Sequence, residues 1–364
     1  MRVCFLSPKA YPQFDDSVEG TPGGAEVQMV HLGRRLAQRE SVDVHFVVAD
    51  YGQPSTVVQD GVTIHRSYSF DDPLWMKIAK FGRKHVRADA DVYIQRTLSP
   101  FSAPLAALTR LRGRRYVYMV SHDHEADGTH DLFCSPFTRP LAKGVYELSN
   151  LVITQNRYQE RMVEEKFDLH NTRLLRSGVK LKNTEPAKEL KYDAIWVGRC
   201  IERKQPDVML DIVEQNPDWD AVMIAPQATG ERSYFEKIRS RAEAINNIEF
   251  VSLVPNDRVI EYLEQSAVFC LTSRHEGYPM VLIEAAAART PIVSLSLNYP
   301  LPFNDYHAGI HCGGEIDTFI TEVQRLLSEK SKLNEYADNA RRYAENEHDI
   351  EKKADEFYRM IDPN

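Results

Sequence analysis

One pattern constrains this chain more than any other. Short apolar runs alternate with helical stretches, break off, and start again. Residues 3–7, 42–48, 62–65, 92–95, 116–120 and 151–154 are rich in Val, Ile, Phe and Tyr and predict strands. Helical periods lie between several of them, most clearly over 26–39, where Val27, Val30, Leu32, Leu36 and Ala37 fall toward one side. Residues 183–188 are polar, contain Pro186 and read as a linker. Beyond them six more runs predict strands, at 193–197, 221–224, 248–251, 268–272, 291–295 and 310–312, with helical segments such as 207–215 and 234–244 between. Residues 316–361 are charged and helical, with no strand among them. Strand–helix alternation makes parallel sheets covered by helices on both faces. The predicted fold class is therefore α/β, with two doubly wound parallel-sheet domains over 1–182 and 183–340. A C-terminal helical segment, 341–364, is expected to pack back on the first domain.

The length of 364 residues suits two domains. With 43% hydrophobic and 27% charged residues, the composition is that of an ordinary globular protein and excludes disordered, collagen-like and fibrous classes. No apolar run approaches the ~20 residues that a membrane-spanning helix needs. The opening residues have too short an apolar core for a signal peptide and read as a buried strand. Cys4, Cys134, Cys200, Cys270 and Cys312 are scattered, which points to a reducing cytoplasm and away from a disulfide scaffold or structural zinc. The net charge of −8 divides into +3 over residues 1–180 (24 basic, 21 acidic) and −11 over 181–364 (21 basic, 32 acidic). A nucleic-acid partner is not expected of an acidic chain. The asymmetry fits a first half that faces an anionic surface, or chance variation in surface composition.

Ligands of doubly wound sheets bind beyond the carboxyl ends of the strands, so the residues there matter most. The first loop ends in Gly23-Gly24-Ala25-Glu26 and runs into a helix. Glycines there allow close backbone approach and leave N–H groups at the positive helix end, as phosphate binding requires; a tight strand–helix turn would look the same. The G-x-G-x-x-G dinucleotide spacing is absent. In the second half, the strand at 193–197 ends in Gly198-Arg199-Cys200-Ile201-Glu202-Arg203-Lys204. Arg199 and Lys204 there can clamp a diphosphate, or merely form a solvated basic turn. After the strand at 268–272 comes Ser273-Arg274-His275-Glu276-Gly277-Tyr278-Pro279-Met280, with Glu284 on the helix that follows. A carboxylate among buried apolar residues needs partners, and ligand hydroxyls or structural caps both serve.

Taken together, Glu276-x7-Glu284, Gly198-Arg199-x4-Lys204 and Gly23-Gly24-Ala25-Glu26 resemble the family 4 retaining glycosyltransferases. The resemblance extends from Gly23 to the strand at Pro291. It implies the GT-B fold, two Rossmann-like domains facing a central cleft, with the acceptor on the first and a nucleotide-diphosphate sugar on the second. By resemblance, Gly23 and Gly24 approach the donor phosphates and the reacting sugar, and His122 is the active-site histidine. Arg199 and Lys204 hold the diphosphate, Glu276 faces the donor sugar, and Glu284 binds the ribose hydroxyls. Gly277, Tyr278, Met280, Val281 and Leu282 offer backbone contacts, and Leu253 and Val254 border the nucleobase. The implied reaction moves a sugar from a UDP- or GDP-linked donor to a glycan or lipid-linked acceptor in cell-envelope synthesis, with retention, no cofactor and no metal. A non-hydrolysing nucleotide-sugar 2-epimerase and a non-catalytic nucleotide-sugar-binding partner are the alternatives. Pro279, Gln205 and Arg289 depart from the family pattern, each standing where Gly is usual.

Three further features carry weaker readings. Asp89-Ala90-Asp91 matches a metal-binding motif, but precedes a strand at its amino end. The loop 122–131 holds His122, Asp123, His124, Glu125, Asp127, His130 and Asp131, which suit a divalent metal, acceptor hydroxyls or neither. Residues 73–87 carry five Lys and Arg and no acid, with Trp75, Met76, Ile78 and Phe81 interleaved. That stretch suits an anionic membrane surface, placing the protein peripherally on the inner face, or a helix packed on the sheet with solvated lysines.

Overall fold

The computed structural model describes residues 1–362 apart from 16, 19, 21–22, 183–189, 229, 275, 277–278 and 298–305, with the backbone alone at 256–257. The linker expected at 183–188 lies outside the described residues. The chain divides into two compact units, Met1–Gly178 with Ile350–Asn364, and Val179–Asp349. The divisions fall at 178/179 and 349/350, where the sequence had suggested 182/183 and 340/341.

Unit 1 contains β1 (Arg2–Leu6), α1 (Gly24–Leu36), β2 (Asp43–Val48), β3 (Thr56–Gln59), β4 (Val62–Arg66), α2 (Leu74–Ala88), β5 (Val92–Arg96), α3 (Ser102–Leu111), β6 (Arg115–Met119), α4 (Asp123–Ala126), α5 (Asp131–Cys134), α6 (Arg139–Leu148), β7 (Leu151–Thr154), α7 (Arg157–Phe167) and β8 (Thr172–Leu174). The strand order is β3-β4-β2-β1-β5-β6-β7-β8. All neighbours are parallel except β3 and β4. That hairpin turns through Asp60 and Gly61, at φ +52° and +75°, the two left-handed residues of a tight two-residue loop. Sequence reading missed β3 and β8 because each is short.

Unit 2 contains β9 (Tyr192–Val197), α8 (Pro206–Gln215), β10 (Ala221–Ile224), α9 (Arg232–Glu243), β11 (Ile248–Val251), α10 (Asn256–Glu264), β12 (Ser266–Leu271), α11 (Met280–Ala287), β13 (Ile292–Ser294), β14 (Gly309–His311), α12 (Ile316–Ser328) and α13 (Lys330–Glu347). Its six strands, in the order β11-β10-β9-β12-β13-β14, are all parallel. The last helix, α14 (Ile350–Ile361), belongs to unit 1. Its Ile350, Ala354, Phe357 and Ile361 are buried in one core with Phe5, Phe46 and the inner face of α1. Each large apolar side chain so buried contributes about 1.5–3 kcal/mol.

The order of strands fixes where ligands bind. In a doubly wound sheet the chain changes direction of travel at one point, and the helices after the two flanking strands lie on opposite faces and leave a crevice. In unit 1 that point lies between β1 and β5, and in unit 2 between β9 and β12.

Helix α2 combines both readings of residues 73–87. Phe81, His85 and Ala88 are buried against the sheet. Phe81 is thus a core residue, which corrects its grouping with the interleaved surface apolars. Leu74, Trp75 and Ile78 are exposed, Trp75 by 67%. Lys80 pairs with Asp72 at 2.7 Å, and the Lys77 ammonium donates to the Phe70 carbonyl at 2.6 Å. Among the described residues, no helix is long and apolar enough to cross a membrane.

Candidate functional site

The loops after β9 and β12 meet at the unit 2 switch point. Gly198 begins the first loop, and its lack of a side chain is required. A Cβ there would meet Lys204 Cδ at 2.9 Å and the Trp196 ring at 3.1 Å. Lys204 therefore folds back across Gly198 and reaches Glu276, Nζ to Oε1, at 2.7 Å. Arg203 approaches the other carboxylate oxygen at 3.5 Å. The Ser273 hydroxyl donates to Glu276 Oε1 at 2.8 Å. Burial pushes the Glu276 carboxyl up, but the charges of Lys204 and Arg203 and the Ser273 hydroxyl bring it below the ordinary carboxylate value.

A second layer holds this cluster. Trp196 on β9 donates its indole N–H to Thr272 Oγ1 at 2.9 Å. The Thr272 hydroxyl lies 2.9 Å from the carbonyls of both Lys204 and Gln205. The Arg274 N–H donates to the Arg203 carbonyl at 3.0 Å. The two loops are thus stitched together before any ligand arrives. Arg203, Ser273, Thr272 and Trp196 were not singled out from the sequence. Position next to Lys204, and position at a strand end, were the signals available.

Arg199 is exposed and, among the described residues, makes no hydrogen bond or ion pair. Glu284 lies in α11, a helix with six buried residues in a row, and is itself 5% exposed. Met280 and Val281 form the start of that helix and are half-buried. The Leu282 N–H donates to the Pro279 carbonyl at 3.1 Å. Gly277 and Tyr278 lie outside the described residues. Leu253 is 66% exposed and Val254 half-buried, just past β11, the edge strand two places from β9.

Two of the three departures from glycine share a geometry. Gln205 and Arg289 both hold left-handed backbone, at φ +50° and +63°. Each side chain finds a partner. The Gln205 amide donates to the Thr272 carbonyl at 2.7 Å and accepts from Arg274 Nε at 3.2 Å. Arg289 pairs with Asp338. Pro279 caps α11 with extended backbone and lacks an N–H to offer.

In unit 1, Gly23 is the N-cap of α1 and Gly24 its first residue. The Gly23 N–H donates to Glu26 Oε2 at 2.9 Å, so Glu26 closes the cap. His122 follows β6, is exposed, and is the N-cap of α4. Glu125, three residues on, points inward and is fully buried. Its two oxygens accept from the Tyr118 hydroxyl at 2.8 Å, Ser121 N at 3.0 Å, Ser121 Oγ at 2.6 Å and Leu98 N at 3.1 Å. Glu125 thereby clamps the loop after β5 to the loop that carries His122. Burial raises the Asp123 carboxyl above its ordinary value, against donors from Gln159 and Asn156. Among the described residues, no three His, Cys, Asp or Glu side chains converge as a metal would need. Asp89 and Asp91 are paired with Arg112 and Arg114 at the amino end of β5.

Comparison with known proteins adds an independent line. The family model described as Glycosyltransferase Family 4 matches residues 22–183, and the one described as Glycosyl transferases group 1 matches residues 180–343. An uncharacterized glycosyltransferase of Haemophilus influenzae is 23% identical over 290 residues, 76% of this chain and 78% of the relative. The amylovoran biosynthesis glycosyltransferase AmsD of Erwinia amylovora is 25% identical over 273 residues, 71% and 73% of the two chains. Among solved structures, the sucrose-phosphate synthase of Thermosynechococcus elongatus superposes with a TM-score of 0.79 at 17% identity, covering 99% of each chain. Anabaena HepE in complex with UDP-glucose gives 0.73 at 16% identity, again covering 99% of each. The fold is therefore the GT-B fold.

Proposed function

We propose, from the premise that the chain belongs to the group 1 glycosyl transferases of family 4, that it moves a sugar from a nucleoside-diphosphate sugar to a glycan or lipid-linked acceptor in building a cell-envelope polysaccharide. The observation that carries this reading is the half-buried Lys204–Glu276 pair at the unit 2 switch point. A cation held there by a carboxylate can exchange partners when a diphosphate enters. Lys204 then neutralises the charge that grows on the departing phosphate, and Arg199, exposed on the same loop, adds a second cation. Glu276, freed from Lys204, accepts hydroxyls of the donor sugar. Glu284 accepts those of the ribose. Leu253 and Val254 border the base, UDP or GDP. That the relatives named above include a polysaccharide enzyme and a UDP-glucose complex supports the donor class and the pathway.

The transition state is oxocarbenium-like, with positive charge on the sugar and negative charge on the leaving diphosphate. Configuration is retained by attack on the face the diphosphate leaves, and its oxygen takes the acceptor proton. His122 and the Gly23–Gly24 helix start face the reacting sugar. Two side-chain cations do the charge neutralisation that a metal does elsewhere, so turnover in EDTA equals turnover without it. The protein works in the cytoplasm, held to the inner membrane face by residues 73–87.

The test is a thermal-shift screen over UDP-, GDP- and other nucleotide sugars. A ligand that binds only the folded state raises Tm. One nucleotide series is expected to raise it and the others not; no rise with any nucleotide overturns the donor reading.

A further inference from the structure

The carboxyl edge of unit 1 holds a charge that the donor chemistry leaves unused. Arg96 is the last residue of β5, directly at the switch point beside β1. It is 8% exposed. A guanidinium has five N–H donors and is costly to bury without acceptors. Among the described residues Arg96 makes one side-chain hydrogen bond, Nη2 to Gln155 Oε1 at 2.5 Å. Its Nε is enclosed and has no partner.

The acceptor it does meet is neutral and fixed. Gln155 Nε2 donates to the carbonyls of Val120 and Ser121, both at 2.9 Å, which aims Oε1 at Arg96. Neither nearby acid bonds to it: Glu125 spends both oxygens on the four donors described above, and Glu26 places Oε2 on the Gly23 N–H. Burial pulls the guanidinium down to about 10, against the attraction of Glu26, Glu125 and Tyr118. Thr97, the next residue, sits at φ +74°, a region that a β-branched side chain enters only under constraint. Arg96 presents a buried cation at a ligand edge with donors to spare.

We propose that Arg96, oriented by Gln155, anchors an oxyanion carried by the acceptor, a phosphate or a carboxylate, so that the enzyme glycosylates an anionic acceptor. The inference rests on the glycosyltransferase reading, and its test separates the two. With UDP saturating the donor site, the protein is titrated with inorganic phosphate or acetate at constant ionic strength, chloride being the control. A ligand at several times its dissociation constant raises Tm by about 2–4 °C in a unit of this size. Phosphate or acetate is expected to do so for the wild type, which also decides between the two oxyanions. Arg96→Met is expected to melt at or above the wild-type temperature without ligand, because an underpaired buried charge has been removed. It is expected to keep the full UDP shift and to lose the oxyanion shift. Arg96→Lys, which keeps the charge without the fork, carries the test if the Met variant does not fold, and should retain less than half of the shift. Equal oxyanion shifts in wild type and in the folded variants, or no oxyanion shift in the wild type, would each overturn the proposal. A missing UDP shift would instead sink the donor reading.

Discussion

The two carboxyl edges of this molecule handle positive charge in opposite ways. In unit 2 Lys204 arrives already paired, 2.7 Å from a half-buried Glu276 that Arg203 and Ser273 also hold. In unit 1 Arg96 ends its strand against a neutral amide, while Glu125 is bonded elsewhere and Glu26 places Oε2 on the Gly23 N–H. The first arrangement is stable when empty and must be broken to bind an anion, so binding there releases a carboxylate to do other work. The second is incomplete when empty, and an anion completes it. A donor whose diphosphate leaves during the reaction suits the exchangeable pair. An acceptor that must be held while its hydroxyl attacks suits the fixed guanidinium.

The largest effect that sharpens this contrast concerns net charge. Residues 1–180 carry +3 and residues 181–364 carry −11, and α2 concentrates the positive side. Each Lys or Arg near an anionic membrane surface contributes about 1 kcal/mol, so losing the four charges at Lys77, Lys80, Arg83 and Lys84 weakens vesicle binding by about a thousandfold, and reversing them should weaken it by at least that much. Cosedimentation with anionic vesicles measures this, and the UDP thermal shift should not change. Equal cosedimentation of wild type and variant would make α2 a packed helix with a solvated face. Next in size, Lys204→Ala and Arg199→Ala should each lower turnover by about a hundredfold or more, as the loss of a charge-stabilising donor does. Lys204→Ala should also cost stability, because Glu276 is left half-buried without its partner, whereas the exposed Arg199→Ala should not. Loss of Tm in Arg199→Ala, or normal turnover in either variant, would erase the distinction between the paired and the open cation.

How much of this was legible in the sequence depends on whether a feature is local. Gly198, Lys204 and Glu276 were found because each lies at or just beyond the end of an apolar run, and Glu284 because it is a carboxylate within one, so that spacing along one segment carries the chemistry. The β3–β4 hairpin was missed although Asp60-Gly61 between short β-branched runs is a turn signal, because β3 is four residues long and half exposed. Arg96 was not read, although it too ends a strand. Its meaning depends on Gln155, 59 residues away, and only the sheet order β5-β6-β7 brings them to either side of one strand end. Phe81 went astray for the same reason: amphipathic spacing in α2 is plain, but which face meets the sheet is a tertiary fact. The side chains that offset left-handed backbone at Gln205 and Arg289 reach Thr272, Arg274 and Asp338, again far along the chain.

The units should also part company on acidification. In unit 1 His85 is fully buried, with Nε2 2.8 Å from Thr109 Oγ1 and its ring stacked on Tyr93. Burial, helped by Arg112, pulls it from 6.5 to about 4. A depressed histidine gives stability that is complete above the unfolded value and is lost as the pH falls from about 6.5 to about 4, on the order of 3 kcal/mol over that window. Glu276 is depressed as well, but from a carboxylate value of 4.5, so the unit 2 cluster keeps its contribution until the pH falls below that. Hydrogen exchange followed from pH 7 to 4.5 should therefore speed up in α2 and β5 before it does in the loops after β9 and β12. The reverse order, or no change in α2, would mean that His85 is not the weak point.

The smallest effect tests whether left-handed backbone is borne differently on the two edges. Thr97 at φ +74° and Gln205 at φ +50° are both non-glycine residues where the chain costs about 1–2 kcal/mol to hold. Glycine would remove that cost but add about 0.5–1 kcal/mol of chain entropy to lose on folding. At Thr97 the balance favours glycine, and Thr97→Gly should raise Tm by about 1–3 °C. At Gln205 the same change also removes the bonds to the Thr272 carbonyl and Arg274, each worth about 1 kcal/mol, so Gln205→Gly should lower Tm by a similar amount. Calorimetry on the two variants decides it. If both rise, the Gln205 bonds contribute little and the unit 2 loop is as strained as the unit 1 loop. If both fall, Thr97 has contacts that outweigh its backbone, and the strain beside Arg96 is smaller than its φ implies.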